Sequence, residues 1–308
     1  MADAAHAVPD VISNPSTAIH GATQKNGVRA GEPISGLTYH SAGAWWQLLD
    51  LPELWAHREL LWMLGQRDLR VRYRQTMIGV AWCVLQPLVS MVIFATLFGL
   101  LGRSPAADGV PYPLVVLAGL VPWQTFAAIV TQAGASLVAQ QAMIGKVYFP
   151  RLLLPLAVVI PNLADLAVSV GLILAGLVAW GVRPSWHLLA LPLAAVYLIA
   201  AALAVGIGVA ALNARYRDAT VLVSFALQIG FFVSPVVYDA GVLIPPRWRW
   251  LYGLNPMAAG IDLFRWCVLP DRPFPGASLG AATVIVVGLL VASLAFFRTI
   301  ETTVTDSI

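Results

Sequence analysis

Charge is what this sequence has least of. Asp, Glu, Lys and Arg make up 11% of its 308 residues, while 59% are hydrophobic and the mean hydropathy is +0.79. Soluble domains carry about 25% charged residues, so a soluble core could not hide this much apolar surface. Lipid is the expected solvent for most of the chain. The formal net charge of +3 is too small, and its basic residues too scattered, for a nucleic-acid footprint. Cysteine is almost missing. Cys83 and Cys267 fall on expected opposite sides of the membrane and offer neither a disulfide framework nor metal spacing, so both read as packing residues. The five histidines are scattered, and nothing resembles a triad, a zinc site or a glycosidase carboxylate pair. A phosphate loop is also lacking: Gly145-Lys146 has neither the earlier glycine nor the following Ser or Thr. Gly206-Ile207-Gly208-Val209-Ala210-Ala211 fits the loose dinucleotide pattern, but it lies inside an expected membrane helix with no strand before it. Packing through the small face of Ala200, Ala204 and Gly208 explains it better. No metal, cofactor or catalytic residue is expected in the chain.

Apolar runs fill the sequence instead. Six are long enough for a hydrocarbon core about 30 Å thick, which takes about 20 helical residues: 76–101, 112–138, 152–180, 187–212, 221–237 and 279–297. Residues 1–44, rich in Ala, Gly, Ser, Pro and Thr, show no periodicity and read as a disordered tail. They have neither the basic start nor the apolar run of a secretory signal, so the amino terminus is expected in the cytoplasm. An even number of crossings then puts both termini there. Charge placement agrees. Arg58, Arg67, Arg70, Arg72, Arg74, Lys146, Arg151, Arg215, Arg217 and Arg298 flank the inner ends, against Arg103, Arg183, Arg247, Arg249, Arg265 and Arg272 outside. Four of the outer set share one long loop, where the positive-inside rule counts least. The expectation is an all-α polytopic membrane protein. It has a tail over 1–44, an amphipathic helix within 45–75 and a six-helix transmembrane domain over 76–308, with an inner loop at 140–151 and a structured outer region at 238–278.

In that outer region, residues 257–269 are apolar but too few to span, which suggests a re-entrant or interfacial helix. Asn255 can cap its orphan amides, Pro256 fits the first helical position, and Pro270 and Pro273 fall just past its end. Pro245-Pro246-Arg247-Trp248-Arg249-Trp250 places aromatics and cations beside the membrane surface. Two roles fit, an aromatic belt that fixes helix depth and a gate.

Residues 52–74 read as a helix with Trp55, Trp62, Leu69 and Tyr73 on one side and Leu60, Leu64 and Val71 on the other. Such a helix would lie at headgroup level, touching protein as well as lipid, with Gly65 allowing a bend. The cluster Arg67, Arg70, Arg72 and Arg74 would face anionic headgroups or an acidic partner.

The loop Gly145-Lys146-Val147-Tyr148-Phe149-Pro150-Arg151 is where a force from outside could enter. A segment that transmits a push needs a rigid body, an apolar tooth and charges for register. Tyr148-Phe149-Pro150, flanked by Lys146 and Arg151, has all three. The competing role for Tyr148 and Phe149 is as interfacial anchors of the third span. Arg215-Tyr216-Arg217-Asp218, at the other inner turn, offers a second contact or a topology anchor.

Asp165, inside the third span near Asn162 and Pro161, is an intramembrane carboxylate and so a functional hypothesis by default. A proton relay through it would make the chain a secondary transporter. No basic or histidine side chain lies in another span to serve as its partner, and Asn162 or a hydroxyl would satisfy a protonated Asp165. A membrane-embedded sugar transferase would instead need acids grouped at one face, for which Asp239, Asp262 and Asp271 form the one outer cluster.

From about Leu54 to Phe297 the chain resembles the permease subunit of ABC-2 type polysaccharide exporters. The residues that carry the resemblance are Arg67-Asp68-Leu69-Arg70-Val71-Arg72-Tyr73-Arg74 running into Gly79-Val80-Ala81-Trp82 and Gln86-Pro87, then Lys146-Val147-Tyr148-Phe149-Pro150-Arg151 with Leu154-Pro155. Arg215-Tyr216-Arg217-Asp218, Phe232-Val233-Ser234-Pro235-Val236-Val237-Tyr238 and Asn255-Pro256-Met257 follow in order. The resemblance implies a homodimer in the bacterial cytoplasmic membrane, docked on two copies of a cytoplasmic ATPase that binds ATP and Mg and exporting a lipid-linked glycan of O-antigen, teichoic acid, capsule or galactan type. The 52–74 helix would be an interface helix, carrying Arg67, Arg70, Arg72 and Arg74. Lys146, Val147, Tyr148, Phe149, Pro150 and Arg151 would form the coupling helix, with Arg215, Arg217 and Asp218 as a second inner contact. Trp248, Trp250, Asn255, Pro256, Phe264 and Trp266 would belong to outer gate helices. Sugars stack on aromatic rings, which makes Trp82, Trp123, Phe126, Phe225, Phe231, Phe232 and Tyr238 the candidates to line a path. A drug or lipid exporter on the same scaffold is the nearest alternative.

Overall fold

A 28-residue helix that is apolar on every side can be stable only at the centre of a bundle, and Tyr112–Ala139 occupies that position here. The computed structural model describes residues 51–74, 81–100, 110–146, 149–216, 218–239, 244–248 and 252–305. The expected tail over 1–44 lies outside these, as do Val147, Tyr148, Arg217 and Trp250.

In chain order the helices are α1 (Leu51–Ala56), α2 (Arg58–Arg74), α3 (Ala81–Leu100), α4 (Tyr112–Ala139), α5 (Gln141–Ile144), α6 (Leu153–Ala157) and α7 (Val159–Ala179). A 3-10 turn at Trp186–Ala190 then leads into α8 (Leu191–Arg215), followed by α9 (Ala219–Val233), a second 3-10 turn at Pro246–Trp248, α10 (Pro256–Val268) and α11 (Gly276–Thr305). No strand occurs among the described residues. Among the described residues, five segments are long and apolar enough to cross a membrane: Ala81–Leu100, Tyr112–Ala139, Leu153–Ala179, Trp186–Arg215 and Gly276–Ile300. The chain is thus an all-α polytopic membrane protein. The remaining apolar run, 221–237, is helical only to Val233. Its helix α9 has 15 residues, about 22 Å at 1.5 Å per residue. Ser234 ends it in an extended conformation, as the residue before a proline tends to.

α4 packs most heavily against α8, and α8 against α11. Small residues make both crossings close. A Cβ on Gly206 would sit 2.9 Å from the Ala133 Cβ of α4, and one on Gly208 would sit 2.9 Å from Ser293 Oγ of α11. Ser293 also donates to the Ala204 carbonyl, so Ala204 and Gly208 face α11 while Gly206 faces α4. By contrast, α3 and α9 leave Val89, Val92, Ile93, Leu222, Phe225, Ile229 and Phe232 exposed.

The helix expected over 52–74 is divided at His57 into α1 and α2. Gly65, expected to allow a bend, instead permits a close approach: a Cβ there would lie 2.2 Å from Ile160 Cδ1 of α7.

Candidate functional site

Two charged arrangements stand out against the apolar bundle, and the first joins four helices. Asp165 of α7 forms an ion pair with Arg72 of α2. It also accepts from the Tyr73 hydroxyl of α2, and from the Cys83 thiol of α3 at 3.2 Å. Arg72 donates its second nitrogen to Gln132 Oε1 of α4 at 2.7 Å. Asn162 donates to the same oxygen at 3.1 Å and to the Val158 carbonyl at 2.8 Å. Burial, followed by the hydrogen bond to Asp165, pushes the Tyr73 phenol well above its ordinary value, so it stays a donor. Asp165 therefore has a basic partner, supplied by α2 and not by another span. Arg72 is correspondingly turned away from its neighbours. Arg67, Arg70 and Arg74 remain on an outward groove with Met63, Gln66 and Val71. In that groove Arg67 pairs with Asp68 at 2.9 Å and Arg70 donates to Gln66 at 3.1 Å.

The junction forms one wall of a cavity of about 590 Å³. Its lining includes Arg72, Asp165, Trp82, Gln86, Gln124 and Gln132.

The second arrangement holds the outer region together. Residues 234–237 are non-helical yet buried, and a buried backbone must find hydrogen-bond partners. Arg265 of α10, 2% exposed, donates to the carbonyls of Tyr238 at 3.0 Å, Val236 at 2.9 Å and Val115 at 3.3 Å. The Tyr112 hydroxyl donates to the Val237 carbonyl at 2.8 Å. Asn255 accepts from the Met257 amide at 3.0 Å as the α10 cap, and donates to Ser234 Oγ at 3.1 Å. Tyr238 and Tyr252 share a hydroxyl contact, and Arg272 pairs with Asp239. Pro256 stands in the first turn of α10. Of the residues expected at an outer gate, Phe264 is in the core, Trp266 lies between His187 and Phe274 at ring separations of 4.2 and 5.0 Å, and Trp248 is exposed. Trp250 lies outside the described residues.

The inner loop corrects one expectation. Phe149 is 5% exposed and packs with Leu64 of α2 and with Leu153, Leu154 and Ala157. It is no tooth for a partner. It fastens the loop to α2, because an aromatic ring between two charged ends is best buried where another apolar face is at hand. Lys146 is exposed, and Pro150 and Arg151 start the turn into α6. Val147 and Tyr148 lie outside the described residues. At the second inner turn Arg215 lies over the Tyr216 ring at 5.5 Å, and Asp218 stands at the start of α9. Arg217 lies outside the described residues.

The aromatics expected along a path divide into two groups. Trp123, Phe126 and Phe231 cluster in the bundle, with Trp123 5.6 Å from Phe126 and 6.0 Å from Phe231. Trp82, Phe225 and Phe232 are exposed, and Tyr238 is held by the outer region. Sequence reasoning missed Arg265, Tyr73 and Gln132. A lone arginine inside the apolar α10 run was the available signal for the first.

The chain is 31% identical over 247 residues to the O-antigen export system permease protein RfbA of Myxococcus xanthus, covering 79% of this chain and 94% of that protein. It is 32% identical over 211 residues to the protein of the same name from Klebsiella pneumoniae, covering 67% and 80%. The polysialic acid transport protein KpsM of Escherichia coli is 24% identical over 241 residues, covering 76% and 91%. The ABC-2 type transporter model matches residues 59–269, a stretch that runs from the interface helix through the outer helix α10. Because that match covers more than half of the chain and four of the five long apolar segments among the described residues, this chain belongs to the ABC-2 type transporter family.

Proposed function

We propose that this chain is the transmembrane subunit of an ATP-driven exporter of a lipid-linked polysaccharide in the bacterial cytoplasmic membrane. The observation that carries the proposal is its alignment over 94% of the length of a relative named as an O-antigen export permease. A pore of apolar helices has no energy source of its own, so a separate ATPase binds ATP and Mg and supplies the force. Both termini lie in the cytoplasm, and the exposed Lys146 with the loop around it meets the ATPase. Phe149 passes the motion to α2 through the Leu64 contact. Two copies of the chain enclose the path, and the exposed apolar face of α9 is the surface assigned to the second copy. The ion pair of Asp165 with Arg72 removes the motive for a proton relay, since the carboxylate has a fixed cationic partner.

The chain reconstituted alone should neither hydrolyse ATP nor move glycan, and adding its cognate ATPase should restore both. Transport by the single chain under a proton gradient would overturn the proposal.

A further inference from the structure

The cavity between α2, α3, α4 and α7 is lined by more hydrogen-bonding groups than the junction in its wall uses. Its two charged side chains, Arg72 and Asp165, neutralise each other. Gln86 and Gln124 also line it, and neither side chain makes a hydrogen bond among the described residues. Amides at membrane depth are costly against lipid chains, so they face protein, water or a polar ligand. The indole of Trp82, 58% exposed, forms another part of the wall. Paired amides offering donors and acceptors, one open aromatic face, and no unbalanced charge make the chemistry of an uncharged sugar ring: hydroxyls meet the amides and the C–H face meets the indole. A volume of about 590 Å³ falls within the roughly 300–1,000 Å³ of small-ligand sites.

Resting on the exporter proposal, we propose that this cavity is a saccharide subsite that holds neutral sugar rings of the glycan, with Trp82, Gln86 and Gln124 as the contacting residues. A lipid-headgroup phosphate would need a free cation, and Arg72 is engaged by Asp165 and Gln132.

The test uses the full complex with its ATPase and two readouts. The first is export by Gln86→Leu/Gln124→Leu and by Trp82→Ala. The glutamine changes make the membrane segments more apolar, so they leave folding intact, which a melting curve checks. Export is expected to fall about tenfold or more, as when a polar site loses matched hydrogen bonds. The second readout is the labelling rate of Cys83 by a small maleimide. Cys83 lines the cavity and the other cysteine, Cys267, is fully buried. Three native membranes are compared: with the cell's full lipid-linked glycan, with the lipid carrier pyrophosphate alone, and with neither. Slower labelling with the glycan alone, lost in the glutamine variant, is the expected result. Equal labelling in all three membranes, slowing by the carrier alone, or unchanged export by both variants overturns the subsite. Failure of the wild-type complex to export glycan would instead strike the exporter proposal.

Discussion

Arg72 and Asp165, 93 positions apart in the chain, form an ion pair that ties the last turn of α2 to α7. Their side chains are 29% and 25% exposed, so the pair is partly screened and is worth less than a fully buried one. Removing one partner leaves the other charge without compensation beside Gln132 and Tyr73. Asp165→Leu or Arg72→Met alone is expected to cost about 1–3 kcal/mol, and the double variant less than the sum of the two. Thermal unfolding of the four proteins in one detergent closes the cycle, and additive losses would mean the pair contributes no coupling.

Gly119 marks the tightest point of the outer region. A Cβ on it would lie 2.0 Å from the Val236 carbonyl oxygen and 2.6 Å from Arg265 Nη2. Neither is the end of a flexible side chain that can swing away, because the oxygen is backbone and the guanidinium is held by three carbonyls. Gly119→Ala should therefore destabilise by about 3 kcal/mol or more. Gly171→Ala in α7 adds a Cβ into open space and should be neutral or gain up to about 1 kcal/mol from helix propensity. Melting temperatures of the two variants should move in opposite directions or differ widely, and similar values would count against the close approach.

Hydropathy made the long spans legible, and cap chemistry made the start of α10 legible at Asn255 and Pro256. What hid was direction. A Val-Tyr-Phe run between charges has the same composition whether its aromatic faces a partner or, as Phe149 does, the protein's own helix α2. Arg72 is one of four arginines in eight residues, and spacing alone does not show that it turns inward while Arg67, Arg70 and Arg74 stay out. The end of α9 was obscured because Val236 and Val237 continue the apolar pattern beyond Pro235. The Val236 carbonyl is held by Arg265 and that of Val237 by Tyr112, and a single-sequence pattern carries no record of contacts made 29 positions later or 125 positions earlier.

The buried Phe149 separates stability from docking at the inner loop. Phe149→Ala removes a ring packed on Leu64, Leu153 and Leu154 and should cost about 3–5 kcal/mol, the range for large-to-small core changes. Lys146→Ala touches an exposed residue and should leave melting within about 0.5 kcal/mol of wild type, while weakening capture of the ATPase in a pull-down from detergent. If Phe149→Ala melts like wild type, the ring is not seated against α2. If Lys146→Ala binds the ATPase unchanged, the docking surface lies elsewhere.

Asp262 of α10 gives the outer region a pH dependence of known sign. Burial pushes its carboxyl up to about 6, against the pull of Arg265, with Asp239 adding to the rise and Arg272 opposing it. The folded protein thus holds this proton more tightly than the unfolded chain, where an aspartate titrates near ~3.9. Stability from the neutral form is complete below that value and is lost as pH rises through about 6. Asp262→Asn mimics the neutral form at every pH. Its melting temperature should exceed that of wild type at neutral pH, and the gap should shrink progressively as pH falls from about 7 to about 4. Taking the difference between the two proteins cancels the titration of all other groups. A gap that stays constant, or widens on acidification, would show that Asp262 is ionised without penalty in the folded state.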